Sequence, residues 1–334
     1  MSMLNRDIFL EQKLFDADAS KAPTRDGFGK GTVEAGKKDS QVVVVCADLA
    51  ESTRAEWFRK EFPERYVEIG VAEQNLVTVA SGMAAVGKIP FVASYAAFNP
   101  GRNYEQIRTT VALNEMPVKV CGMHAGVSVG PDGATHQMLE DIGLMRMLPN
   151  MVVLYPADAE EARKATYASA FNGKPTYLRF AREKTPLMTT AATPFEIGKA
   201  YTMWHGENPA VAILGAGPLL HEALLAAREL EARGISVSVL NCHTIKPLDT
   251  ETILAAVKEA GAVVTVEEHQ KAGGLGSAVS EFLSEAYPVP HEFVAVRDVF
   301  GQSGEPTELI AHYGLDRAGI SAAVERVIAR KHGG

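Results

Sequence analysis

Between Gln41 and Ala181 the sequence alternates short β-branched runs with longer segments of helical character. The runs are QVVVVCADL (41–49), IPFVASY (89–95), PVKVCGMH (117–124), MVVLYPA (151–157) and PTYLRFA (175–181). Helix-compatible segments fill 73–86, 102–114, 137–147 and 158–171. Strands alternating with helices build βαβ units, whose parallel sheet needs helices on both faces. VVVV shows no polar alternation, which fits a strand covered on both sides.

The pattern breaks over LMTTAATPFEIGKAYTMWHGENP (187–209), rich in Thr, Pro, Gly and polar residues, and this stretch reads as a linker. Alternation then restarts with AVAILGAGP (210–218), a helix over 219–233, SVSVLN (236–241), a helix over 250–260, AVVTVEE (262–268), a helix over 276–286, EFVAVRDV (292–299) and a last helix over 318–331. Residues 1–22, mixed and polar, read as an arm rather than core. The chain of 334 residues therefore divides into an arm (1–22), a first α/β domain (23–190), a linker (191–208) and a smaller α/β domain (209–334). That agrees with about 150 residues per domain.

A net charge of −8 with no basic run argues against a nucleic-acid partner. No window holds 18 uninterrupted apolar residues, so no membrane helix is expected. The N-terminus lacks the apolar stretch of a signal peptide, and a cytoplasmic protein is the expectation. Cys46, Cys121 and Cys242 stand far apart inside or at the ends of apolar runs, which suggests buried free thiols rather than a disulfide or metal site.

Three stretches carry candidate chemistry. HAGVSVGPDGATHQ (124–137) follows a strand and precedes a helix, where α/β sheets bind ligands. It brings His124, Asp132 and His136 to one mouth, although a solvated loop has the same composition. VEIGVAEQNLVTVASGMA (67–84) opens a helix on Glu73. A carboxylate there is favoured by the helix dipole alone; among apolar neighbours it can also share a proton with a ligand. SYAAFNPGRNYEQIR (94–108) places Tyr95 and Phe98 beyond a strand, as core packing or as the wall of a flat heteroaromatic ring. Arg25, Arg179 and Arg182 are candidates for phosphate or for surface ion pairs. GFGKG (27–31), GAGP (215–218) and GGLGS (273–277) match neither the dinucleotide fingerprint nor the Walker loop.

Taken in order, ADLAEST (47–53), EIGVAEQN (68–75), SYAAF (94–98), GPDGATHQMLEDIGLMRMLPNMVVLYPAD (130–158), LRFAREK (178–184) and EEHQKAGGLGSAV (267–279) resemble the C-terminal half of transketolase, from about Arg25 to the end. The resemblance implies a pyrimidine-binding domain for thiamine diphosphate, followed by a C-terminal domain with structural and dimer-contact roles. The family's Gly-Asp-Gly motif, which holds the diphosphate and a magnesium ion from an N-terminal domain, does not occur in this sequence. An N-terminal partner subunit in an α2β2 heterotetramer is therefore expected, as in split transketolases. No metal ligand is expected here.

The resemblance also implies roles. Glu73 matches the Glu that hydrogen-bonds the aminopyrimidine and favours the tautomer that takes the thiazolium proton. Tyr95 and Phe98 match the aromatics against that ring, and Asp48 a carboxylate near cofactor and dimer interface. Asp132 and His136 resemble residues that hold the sugar's hydroxyls and carbonyl end. Arg25, Ser52, His124 and Arg182 resemble the set that grips the sugar phosphate. Ala125, where single-chain enzymes often have Asp, and the longer NPGRN (99–103) depart from the pattern near the substrate channel. Ketol transfer between sugar phosphates, in the pentose phosphate pathway or on a specialised sugar, is the leading expectation. A deoxyxylulose-phosphate synthase, a 2-oxoacid dehydrogenase β subunit, a non-catalytic subunit and a Rossmann-type pair are the alternatives.

Overall fold

The structure, a computed structural model, describes residues 3–333. The first half contains β1 (Lys21–Ala22), β2 (Val42–Cys46), β3 (Tyr66–Glu68), β4 (Ile89–Tyr95), β5 (Lys119–Met123), β6 (Val152–Leu154), β7 (Thr176–Arg179) and β8 (Thr185–Pro186). The second contains β9 (Tyr201–Trp204), β10 (Val211–Gly215), β11 (Val237–Asn241), β12 (Thr244–Lys246), β13 (Val263–Gln270) and β14 (His291–Val296).

Two sheets result. The first runs β12-β6-β7-β5-β4-β2-β3 and is parallel except at β12. Strands β2 and β5 are buried along their whole length; the unbroken apolar run of β2 demands it, while β5 buries Lys119, whose Nζ donates to Asn172 Oδ1 and Lys174 O. The second runs β14-β13-β10-β11-β9 and is parallel except at β9. β1 and β8 make a small antiparallel ribbon. Helix Thr24–Lys38 lies directly on helix Ala159–Ala170, because GFGKG removes side chains between them: a Cβ on Gly27 would sit 2.2 Å from the Ala159 carbonyl oxygen. The three cysteines are free and buried, as expected.

The structure departs from the sequence reading in three places. The arm is docked through its apolar side chains, although many of its polar residues stay exposed. Leu10 and Leu14 are buried against the second half, Phe15 meets Trp204 edge-on at 6.2 Å, and Asn5 Nδ2 donates to Thr202 O at 2.8 Å. Burying each leucine is worth about 1.5–3 kcal/mol, enough to dock an otherwise polar segment. The expected linker contains β9, an antiparallel edge strand whose YTMW is interrupted by too few residues to show a period. Strand β12 crosses over to edge the first sheet, so the halves share one apolar cluster that includes Leu76, Val153, Leu214 and Ile253. Among the described residues no helix is long and apolar enough to cross a membrane.

Candidate active site

Parallel strands place their carboxyl ends on one edge of the first sheet, and the candidate residues gather there. The chain leaves β2 at Asp48 and Ser52, β4 at Tyr95 and Phe98, β5 at His124 and β7 at Arg182. Helix Glu73–Ala85 begins at the same edge.

Glu73 is the first residue of its helix and is only 1% exposed, despite its charge. Its Oε2 lies 2.8 Å from Arg102 Nη1, and its Oε1 accepts from Ser94 Oγ at 3.4 Å. Asn103 Nδ2 donates to the Glu73 carbonyl at 2.9 Å and to Asn99 Oδ1 at 2.9 Å. Asn99 Nδ2 in turn donates to Val92 O and Cys121 O on neighbouring strands. The NPGRN loop is thus fastened to the sheet, and it delivers Arg102. A cavity of about 430 Å³ opens beside the carboxyl, lined by Val71, Gln74, Thr78, Arg102 and Gln106 among others.

Aromatic rings connect Glu73's surroundings to a basic cluster. Tyr95 stacks on His124 at 4.2 Å and 23°, with Phe98 6.1 Å away. His136 stands edge-on to Phe98 at 5.4 Å, and Arg102 lies over Phe98 at 5.2 Å. Thr135 Oγ1 pairs with His136 Nδ1 at 2.8 Å.

In the basic cluster, Arg25 Nη1 donates to Ser52 O at 2.9 Å and lies 3.0 Å from His124 Nε2. Arg182 Nη1 donates to Val129 O at 2.6 Å and stands 4.0 Å from Asp132. Burial, then the positive charges of Arg25 and Arg182, push His124 down to about 3. Burial and the nearby Arg54 also lower Arg25. Neutral imidazole among guanidiniums is an arrangement suited to an anion. Arg25 Nε and His124 Nδ1 are buried without a protein partner, so each has capacity for a ligand atom.

Two sequence candidates fall outside this group. Asp48 has an exposed side chain, and its backbone N–H is bound by Glu68 Oε1 at 2.7 Å. Arg179 is no phosphate ligand: it is fully buried, donates to Asp141 Oδ2 at 2.7 Å and lies over the Tyr155 ring at 4.5 Å. Sequence reasoning missed Arg102 and Ser94 beside Glu73, and Gln137 and Glu268 behind the 124–137 loop. NPGRN and EEHQ stand out as segments in the sequence, but nothing local points to those side chains.

Known proteins resemble the chain along both of its halves. Residues 20–188 match the transketolase pyrimidine-binding domain family, and residues 200–320 match the transketolase C-terminal domain family. A Methanocaldococcus jannaschii protein, provisionally named a transketolase C-terminal section, is 42% identical over 90% of this chain and 94% of its own length. A 6-deoxy-6-sulfo-D-fructose transketolase subunit of a Clostridium species is 38% identical over 92% of this chain and 95% of its own. A split-gene transketolase, solved as an inactive β4 tetramer, superposes with a TM-score of 0.86 at 42% identity, covering 93% of this chain and 99% of that one. Mammalian transketolase-like proteins also match, but this chain spans about half their length.

Proposed function

The chain belongs to the transketolase family, and on that premise we propose that it works as the C-terminal subunit of a thiamine-diphosphate-dependent transketolase. With an N-terminal subunit it moves a two-carbon ketol unit from a ketose phosphate to an aldose phosphate. The partner holds the diphosphate and a magnesium ion, in an α2β2 assembly.

The observation that carries this reading is Glu73: a buried carboxyl at a helix start, beside a cavity and next to stacked aromatics. Those features fit an aminopyrimidine, which needs one carboxyl at a ring nitrogen and a flat apolar wall. Thiamine diphosphate, when bound, supplies the thiazolium that stabilises carbanion character. Glu73 exchanges a proton with the aminopyrimidine nitrogen from its shielded position. To do so it exchanges Arg102, whose side chain is half exposed, for the ring. Phe98 and Tyr95 hold the ring's orientation. Across the aromatics, Arg25, Ser52, His124 and Arg182 bind the sugar phosphate, with Arg25 Nε and His124 Nδ1 as open donors or acceptors. Asp132 and His136 hold the sugar's hydroxyls, and Asp48 faces the subunit boundary.

The test mixes the purified chain with its N-terminal subunit, thiamine diphosphate and magnesium, and follows conversion of xylulose 5-phosphate plus ribose 5-phosphate. Activity in the mixture only, lost in Glu73→Ala, supports the reading. Pyruvate-dependent turnover instead would move the chain to the synthase or dehydrogenase chemistry.

A further inference from the structure

The loop that carries Asp132 and leads to His136 is built against the second half of the chain. Its short helical segment, Val127–Asp132, has backbone groups that its own turns leave unpaired. Side chains from three directions satisfy them. From the first half, Arg182 Nη1 holds Val129 O at 2.6 Å. From within the loop, Gln137 Nε2 donates at 3.1 Å to both Val127 O and Gly130 O. The same nitrogen reaches Gln302 O of the second half at 3.0 Å.

The third direction is Glu268, at the end of β13. Its side chain is 1% exposed, and its Oε1 accepts the Ser128 N–H at 2.5 Å across the domain boundary. The approach leaves no room for a side chain at Gly126, whose φ is +93° and whose Cβ would fall 2.3 Å from Glu268 Oε1. A carboxyl buried this deeply is a poor choice for core packing, because an apolar residue would fill the space without desolvation cost. Its hydrogen bonding ends on the loop, at Ser128, four residues before Asp132. The rest of the loop is seated nearby: Gly130 faces Pro306 and Gly133 faces Ser303.

We propose that Glu268 is a positioning residue for the substrate loop: from the C-terminal domain, its carboxyl fixes the backbone on which Asp132 and His136 reach a bound ketose phosphate. The inference rests on the transketolase reading of those two residues. It gives the C-terminal domain a part in substrate recognition, beyond the structural and dimer-contact role implied by resemblance. Reactive and binding groups must be held to a fraction of an ångström, and a loop with only one short helical segment reaches that through such ties.

The test uses the complex with the N-terminal subunit, with xylulose 5-phosphate as donor, and compares wild type with Glu268→Ala, Glu268→Asp and Glu268→Gln. Glu268→Ala is expected to raise the donor KM on the order of 10- to 100-fold. The half-saturating thiamine diphosphate concentration should stay within about twofold. Glu268→Gln should restore the donor KM, because its amide oxygen accepts the same bond. Glu268→Asp, one methylene short, should not. If Glu268→Ala gives no soluble complex, the contrast between Asp and Gln decides. The inference is overturned if the donor KM does not move, if donor and cofactor constants change in parallel, or if Gln is as impaired as Asp. Wild-type complex without ketol transfer would defeat the functional reading itself; turnover with an indifferent Glu268 would defeat only this inference.

Discussion

The Arg102 guanidinium sits 2.8 Å from the Glu73 carboxyl, and both line the same cavity. Arg102 is half exposed while Glu73 is 1% exposed, so the pair is a lid of one charged side chain over a buried acid. Partly exposed pairs of this kind are worth about 1 kcal/mol. Arg102→Gln should therefore tighten thiamine diphosphate binding by the complex about fivefold. Isothermal titration of wild-type and variant complexes checks this. Weaker binding in the variant would mean that Arg102 contacts the cofactor rather than competing with it.

Removing Glu73 should abolish turnover with little change in fold. The side chain starts its helix without capping it, and helix Glu73–Ala85 is held by Leu76, Val77 and Ala80 in the core. A lost proton-transfer group costs on the order of 10²- to 10⁴-fold in rate. Steady-state kinetics of Glu73→Ala beside its circular dichroism spectrum separate the two effects. A variant that keeps more than about a tenth of wild-type kcat would remove Glu73 from proton transfer.

The parallel sheet and Glu73's helix were legible because their signals are local. Unbroken runs such as VVVV mark buried strands, and Glu73 precedes an apolar helix. What was not legible depends on partners far apart in sequence. Ser128 and Glu268 are 140 residues apart, and nothing around either points to the other. Arg179 looked like Arg25 and Arg182 in sequence; its partner Asp141 lies 38 residues away, and only the fold shows that it is buried. The arm's docking is hidden for a related reason: apolar residues such as Leu4, Ile8, Leu10, Leu14 and Phe15, scattered among polar ones, dock only when a receiving face exists. Arg102 was hidden in a loop whose extra length was visible but whose direction was set by Asn99 and Asn103.

His124 should stay neutral across the physiological range. Burial and the guanidiniums of Arg25 and Arg182 push its pKa down to about 3, from the 6.5 of an ordinary imidazole. The folded ring binds its proton less tightly than the unfolded one. Its contribution to stability is therefore fully present above pH 6.5 and is lost as the pH falls toward about 3. Selective labelling of histidine and its NMR shift should show no titration of this ring between pH 5 and 8, whereas Arg182→Ala should move the midpoint upward. A midpoint near the ordinary imidazole value in wild type would contradict the crowded basic cluster.

Arg179 should matter for stability rather than for substrate affinity. Its Nε donates to Asp141 Oδ2 at 2.7 Å, Tyr177 OH donates to the same oxygen at 2.6 Å, and its Nη2 donates to Met138 O at 3.1 Å. Both members of the ion pair are fully buried. Asp141 accordingly sits below the usual carboxylate range: burial raises it, but the charges of Arg179 and His269 and the hydrogen bonds from Arg179 and Tyr177 together outweigh that. Deleting one partner leaves the other charge buried and unpaired, at a cost of about 3–5 kcal/mol. Arg179→Met should lower the unfolding free energy read from denaturant titration by that amount, and Arg179→Lys should rescue little, since one ammonium cannot replace the stacked, forked guanidinium over Tyr155. In whatever fraction of either variant remains folded, the KM for ketose phosphate should stay near wild type. A large rise in KM with unchanged stability would return Arg179 to the phosphate site from which its burial removes it.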